Sequence, residues 1–176
     1  MRLVVISGHS GSGKTSALNI LEDVGFTCID NLPSSLLPEL INQLKPNNNP
    51  EELLLAVGID ARNLVGDLNN FPKILTTIED SGIAVDVIFL KAHRTDLLRR
   101  YSETRRKHPL SNETIGLKEA IDKEESIISP IAKIANLTID TSSLTLHQLR
   151  DLVKNTVVPN DQQQMSILFE SFGFKE

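Results

Sequence analysis

The chain has 176 residues, 40% of them apolar, and a net charge of −5, enough for one α/β domain with a core and short for two. An acidic whole excludes a protein coated for polyanions, so any nucleic-acid contact has to be a local patch. The single cysteine, Cys28, excludes an internal disulfide and fits a reducing cytoplasm, and an aromatic share of 4% argues against a base-stacking platform. No apolar run reaches membrane-span length, and residues 1–6 lack the form of a signal peptide, so a cytoplasmic protein is expected.

In chain order, the wholly apolar Leu3–Ile6 reads as a strand buried on both faces. Lys14–Asp23 reads as a helix with Ala17, Leu18, Ile20 and Leu21 inward and Gly25 past its end. Phe26–Ile29 is a second strand, closed by "DNLP". Ser34–Leu44 is a helix with Pro38 in its first turns. Lys45–Glu52 is a polar loop. Leu53–Ile59 is a third strand, Pro72–Ser81 a helix stopped by Gly82, and Ala84–Leu90 a fourth strand. Helices follow at Arg94–Thr104 and at Leu117–Ile128, the latter ended or kinked by Pro130. Leu137–Ile139 is a fifth strand and Leu146–Val157 a last helix. Strands alternating with helical crossovers predict an α/β chain of P-loop NTPase or kinase-like three-layer form, with a five-stranded parallel sheet over residues 1–158. Ligands on such sheets sit beyond the carboxyl ends of the strands.

At the first of those ends lies Gly8-His9-Ser10-Gly11-Ser12-Gly13-Lys14-Thr15, which matches G-x-x-x-x-G-K-[ST] throughout, with a strand before and a helix after. Glycines let consecutive N–H groups turn inward on phosphate oxygens, and the following helix adds its positive end. Lys14 is expected on the β and γ phosphates and Thr15 on Mg²⁺. The plain alternative is a glycine-rich turn with an incidental lysine. His9 occupies a variable position and is expected to face solvent.

Such a loop needs carboxylates for the metal and for the nucleophile. Strand three runs into Asp60, strand two into Asp30 and Asn31. An acid faces the site when its strand neighbours the first, as strand three does in common P-loop arrangements. Asp60 is therefore assigned to the metal with Thr15, and Asp30 with Asn31 to an acceptor or water-positioning role. Either aspartate equally serves to cap the next element. Asp140, after strand five, caps or lines a base pocket.

Lys91–Leu110 holds seven of the eighteen Lys and Arg residues, with Asp96 and Glu103 its only acids. Leu97, Leu98 and Tyr101 share one helix face, which leaves much of the charge outside. Arg105 and Arg106 stand where an arginine-bearing lid begins in small P-loop kinases and would close on a transferring phosphate. A patch for nucleic-acid phosphates and a solvated helix face remain as alternatives.

Together "SGHSGSGK", "DNLP" at Asp30–Pro33, "IDARN" at Ile59–Asn63, "RRYSETRRKHPL" and the terminal "FESFGFK" resemble the RapZ/YvcJ family of bacterial nucleotide-binding proteins over residues 1–176. The resemblance implies ATP and GTP binding with weak hydrolysis. It places nucleotide on Gly8–Thr15 and on Asp60, Ala61, Arg62 and Asn63. In enteric-type bacteria it implies an RNase adapter that presents small RNAs for cleavage. It also implies a second domain past residue 176 that carries most of the RNA binding and the self-association. Residues 159–176 are then a linker or the start of that domain, and "SILFESFGF" a strand awaiting a partner. Lys91 stands where relatives are expected to carry an acid, so it receives no metal role.

Three functions remain open: a regulatory ATP- or GTP-binding domain with slow Mg²⁺-dependent γ-phosphate cleavage by Lys14, Asp60 and Arg105 or Arg106; a small-molecule kinase; and an RNA-binding module with nucleotide as effector. No base-reading motif such as N-K-x-D separates ATP from GTP.

Overall fold

The computed structural model describes residues 1–45, 53–63 and 70–157. Most of the Lys45–Glu52 loop, the 158/159 boundary and the terminal strand reading lie outside the described residues.

Five parallel strands form one sheet in the order β2-β3-β1-β4-β5. They are β1 Arg2–Gly8, β2 Thr27–Ile29, β3 Leu54–Gly58, β4 Ala84–Lys91 and β5 Leu137–Asp140. Central β1 pairs with β3 from Arg2↔Leu54 to Ile6↔Gly58 and with β4 from Arg2↔Ala84 to Gly8↔Leu90. Its apolar run is explained by both faces. Leu3 and Val5 enter a core built with helices α2 (Leu37–Leu44), α3 (Phe71–Asp80) and α5 (Leu117–Ile134). Val4 and Ile6 enter a second core with α1 (Lys14–Asp23) and α6 (Leu146–Val157). All four are fully buried, each contributing about 1.5–3 kcal/mol. Helix α4 (Arg94–Thr104) docks on α5 through Leu97 and Ile121.

Two expectations change. The second predicted helix opens as a 3₁₀ turn over Ser34–Leu36 and becomes α-helical at Leu37. Helix α5 does not end near Pro130 but runs on to Ile134 with the proline inside it. A helix-interior proline costs roughly 3 kcal/mol. Ile128 and Ile131, at 0% and 1% exposure, flank it and offset that cost by packing into the first core.

The sheet's central crossover puts the β1–α1 loop, the ends of β2 and β3, and the α4–α5 connection at one edge. Gly8 is essential to that geometry. Its φ is +139°, and a Cβ there would lie 1.9 Å from the Leu90 carbonyl oxygen, so β4 runs against the loop at a distance no side chain allows.

Candidate nucleotide-binding site

The loop Gly8–Thr15 is held from three sides. Lys14 Nζ donates to the carbonyls of Gly8 and His9 at 3.0 and 3.1 Å. Burial lowers the Lys14 pKa, opposed first by the Glu124 charge and then by Asp60 and Asp30. From the β5 side, the Thr141 hydroxyl donates to the Ser12 carbonyl at 2.7 Å. The Arg100 guanidinium bridges the carbonyls of Gly11 and Thr141 at 2.9 and 2.7 Å. From α5, Glu124 accepts the Ser10 N–H at 2.6 Å and the Ser10 hydroxyl at 2.5 Å.

Glu124 is 1% exposed. Burial pushes its carboxyl up, but the His108 ring beside it, hydrogen bonds from Ser10 and the charge of Lys14 outweigh this, so its pKa lies below the ordinary carboxylate value. His108 is buried beside it. Its Nδ1 accepts the Leu110 N–H at 3.0 Å, which leaves the ring proton on Nε2, 3.5 Å from Glu124 Oε2. That is long for a hydrogen bond, and no nearer acceptor serves this nitrogen among the described residues. Tyr101 packs on the His108 ring at 5.2 Å, and burial pushes its hydroxyl up to about 12.

His9 does not face solvent as its position in the motif suggests. It is 9% exposed, its Nδ1 accepts the Ala92 N–H at 3.3 Å, and its Nε2 meets Glu125. Consecutive acids of α5 thus grip consecutive residues of the loop.

Both strand-end aspartates line the site, with different partners. Strand β3 does lie beside β1, yet Asp60 is occupied by Arg62. Its Oδ1 accepts the Arg62 N–H at 2.8 Å, and its Oδ2 accepts Nη2 and Nε at 2.8 and 3.2 Å. The hydrogen bond to Asp60 raises the Arg62 pKa further. Asp30, one strand farther out, accepts the Thr15 hydroxyl at 3.0 Å. Gly58 makes this reach possible: a Cβ there would lie 2.5 Å from Asp30 Oδ1. Asn31 accepts from Arg62 and Asn63 at 3.3 and 2.9 Å.

A cavity of about 570 Å³ opens on these groups and collects Lys14, Thr15, Asp30, Asn31, Asp60, Arg62, Arg100 and Arg106. A second, of about 220 Å³, lies across the loop between Arg100, Thr141 and Leu146. Gly11 and Gly13 border both. Ala61 is buried in the first core, and Arg105 caps α4 in a left-handed turn without lining either cavity. Asp140 accepts the Ser142 N–H at 3.0 Å, a capping contact.

Sequence reasoning missed Glu124, His108, Arg100 and Thr141. One signal was available for Glu124: it stands three residues after Ile121 and four before Ile128, on the apolar stripe of α5. Arg100 and His108 lie in the "RRYSETRRKHPL" stretch, where nothing marks what they touch, and nothing local marks Thr141.

The RapZ-like N-terminal domain model matches residues 1–161. A nucleotide-binding protein of Cellvibrio japonicus (strain Ueda107) is 53% identical over 175 residues, covering 99% of this chain and 59% of that protein. One of Hahella chejuensis is 49% identical, covering 99% and 61%. The chain thus spans about three fifths of the length of these curated relatives. Among solved structures, the YorR protein of Bacillus subtilis in complex with phosphorylated GDP aligns with a TM-score of 0.58 at 17% identity, covering 88% of this chain and 95% of that one. Shikimate kinase of Bacteroides thetaiotaomicron gives 0.55 at 15%, covering 88% and 96%. Thymidylate kinase of Candida albicans gives 0.57 at 14%, covering 89% and 90%. These likenesses establish the P-loop kinase-like α/β fold. By sequence, this chain belongs to the RapZ-like N-terminal domain family.

Proposed function

We propose that the chain is the nucleotide-binding part of a regulatory protein, taking ATP or GTP with Mg²⁺ across the phosphate loop and hydrolysing it slowly. The observation that carries this reading is the charge of the larger cavity. In a protein of net charge −5, five cationic side chains face two carboxylates there. Lys14 and Arg100 donate only to carbonyl and hydroxyl oxygens, so their charges await an anion. The smaller cavity, part apolar through Leu144, Leu146 and Leu149, suits a nucleoside.

The residues fit Mg²⁺. Thr15 and Asp30 are hard oxygen donors in contact, and Mg²⁺ in nucleotide sites is held by one or two side chains plus phosphates. No cluster of three His, Cys, Asp or Glu able to hold a metal occurs among the described residues, and none is needed for that mode of binding. When bound, the ion would neutralise charge on the β and γ oxygens. Thr15 and Asp30 are assigned to it, and Asp60 to holding Arg62 in place.

The same contacts support slow turnover: Asp60 is engaged by Arg62 and Asp30 by Thr15, so ordering an attacking water requires one of these contacts to be exchanged. The regulatory role, including presentation of small RNAs to a ribonuclease, belongs to the longer protein. Arg105, Arg106 and Lys107, exposed in this domain, support a contact with RNA phosphates.

The test follows the γ phosphate. Labelled ATP and GTP are incubated with Mg²⁺ and the protein, with and without a metabolite pool. Slow release as free phosphate, abolished by Lys14→Ala, is expected. Label moving onto one metabolite would make the domain a kinase, and retained nucleotide affinity in Lys14→Ala would sink the placement.

A further inference from the structure

The connection between α4 and α5 brings cations to the larger cavity, and among the described residues its polar tie to the rest of the fold is His108. Ser102–Lys107 are all exposed, and His108 is the first buried residue after Tyr101. Arg106, Lys107 and Pro109 line the cavity on either side of it. Among the described residues, the hydrogen bonds of residues 106–115 close within the connection itself. The His108 carbonyl accepts the Ser111 N–H and hydroxyl at 3.0 and 2.8 Å, and its Nδ1 accepts the Leu110 N–H at 3.0 Å. The chain is thus wound around this ring.

The other edge of the ring looks toward the phosphate loop. His108 Nε2 lies 3.5 Å from Glu124 Oε2, Glu124 holds the Ser10 N–H and hydroxyl, and Ser10 lines the same cavity as Arg106. Tyr101 supplies a parallel path. Its ring lies 5.2 Å from that of His108, and a Cβ on Gly11 would stand 3.2 Å from its Cε2. Consecutive loop residues, Ser10 and Gly11, therefore touch the two neighbours of His108. At 3.5 Å the contact with Glu124 is about 0.5 Å longer than an ordinary N–H···O bond, and such contacts tighten when a site takes its ligand. Arg106 stands two residues from His108, at most about 7 Å of chain, so the seat of His108 limits where the Arg106 guanidinium can reach. Arg94 and Arg99 of the same basic stretch pair with Asp122 and Asp96, whereas Arg106 joins no ion pair among the described residues.

We infer that His108 and Glu124 are positioning residues, which register the α4–α5 connection on Ser10 so that Arg106 meets the γ phosphate of a nucleotide in the loop. The inference rests on the nucleotide reading above. Both residues act through the groups they hold, His108 through Arg106 and Glu124 through Ser10 and His108. A triphosphate draws Arg106 inward by a charge-assisted bond and shortens the His108–Glu124 contact. A diphosphate lacks the group that Arg106 meets and leaves the contact long.

The test is the preference for triphosphate over diphosphate. Calorimetric titrations with Mg²⁺ compare adenosine 5′-(β,γ-imido)triphosphate with adenosine diphosphate, and the guanosine pair in parallel, and the ratio of the two Kd values is the readout. Arg106→Gln should lower that ratio at least about tenfold. His108→Phe, which keeps a ring against Tyr101 but loses the Nε2 donor, should lower it at least about threefold while diphosphate affinity stays within about twofold. His108→Gln, which restores a donor at similar reach, should recover most of the loss. The double variant His108→Phe with Arg106→Gln should fall no further than Arg106→Gln alone, because one residue acts through the other. Should His108→Phe fail to fold, Glu124→Gln, which keeps the Ser10 contacts but turns an amide toward Nε2, is expected to lower the ratio in the same way. An unchanged ratio in Arg106→Gln or in the folded variants of the pair would overturn the inference, and so would losses that multiply in the double variant. Failure of the unaltered protein to bind either nucleotide appears before any variant is compared and removes the nucleotide reading together with the inference.

Discussion

Replacing Glu124 with alanine tests whether the phosphate loop is held by one buried carboxylate. The change strips the acceptor from the buried Ser10 N–H and Ser10 hydroxyl and removes the carboxylate beside the buried His108 Nε2. Each stranded donor costs about 1–3 kcal/mol, and breaking a buried charged network typically costs about 3–5 kcal/mol. At 1% exposure, solvent gives Glu124 little screening. A loss of about 4 kcal/mol is expected, which lowers Tm by about 8–16 °C at about 2–4 °C per kcal/mol for a chain of this size. Glu124→Gln keeps the shape and a bond to each Ser10 group but loses the charge, and should cost about 1–2 kcal/mol. The pH dependence has a defined sign. The folded pKa lies below the unfolded one, so the stabilisation is present above the unfolded value and disappears as pH falls through the folded value. Urea unfolding of the three proteins at neutral and acid pH measures all of this. A loss under about 1 kcal/mol in Glu124→Ala with an unchanged m-value would refute the reasoning.

Other perturbations address the remaining contacts. Gly58→Ala would put a Cβ 2.5 Å from Asp30 Oδ1 and 2.9 Å from Leu18 Cδ1. It should swing Asp30 off Thr15 and cost about 1–3 kcal/mol, and Mg²⁺-dependent nucleotide affinity should fall while affinity in chelator changes little; equal losses in both would contradict the Asp30 assignment. Arg100→Ala removes the bridge from Gly11 to Thr141 and should destabilise by about 1–2 kcal/mol, with Arg100→Lys failing to restore nucleotide affinity because an ammonium lacks the guanidinium fork; full rescue by lysine would reduce the bridge to simple charge. Burial pushes the Cys28 thiol up to about 11, so iodoacetamide at pH 8.5 should modify the folded protein at least about tenfold more slowly than the urea-unfolded chain; equal rates would place the thiol in solvent.

The sequence alone determined the features that depend on neighbours along the chain. The eight-residue loop, the order of strands and helices, and the bounds of α1, α4 and α6 at Lys14–Asp23, Arg94–Thr104 and Leu146–Val157 were legible because glycine content, apolar period and stop residues act locally. Tertiary structure decided which partner each acid meets. Asp30 and Asp60 end their strands alike, and only the missing side chain of Gly58 lets the outer one reach Thr15. Glu124 sits in "DKEES", a string that reads as a solvated helix face, until helix phase turns it inward onto a residue 114 positions away. Pro130 signals a helix end, yet the burial of Ile128 and Ile131 carries α5 past it. Charge neutralisation and burial act between elements distant in sequence, and they leave no period or spacing in the chain for a reader to find.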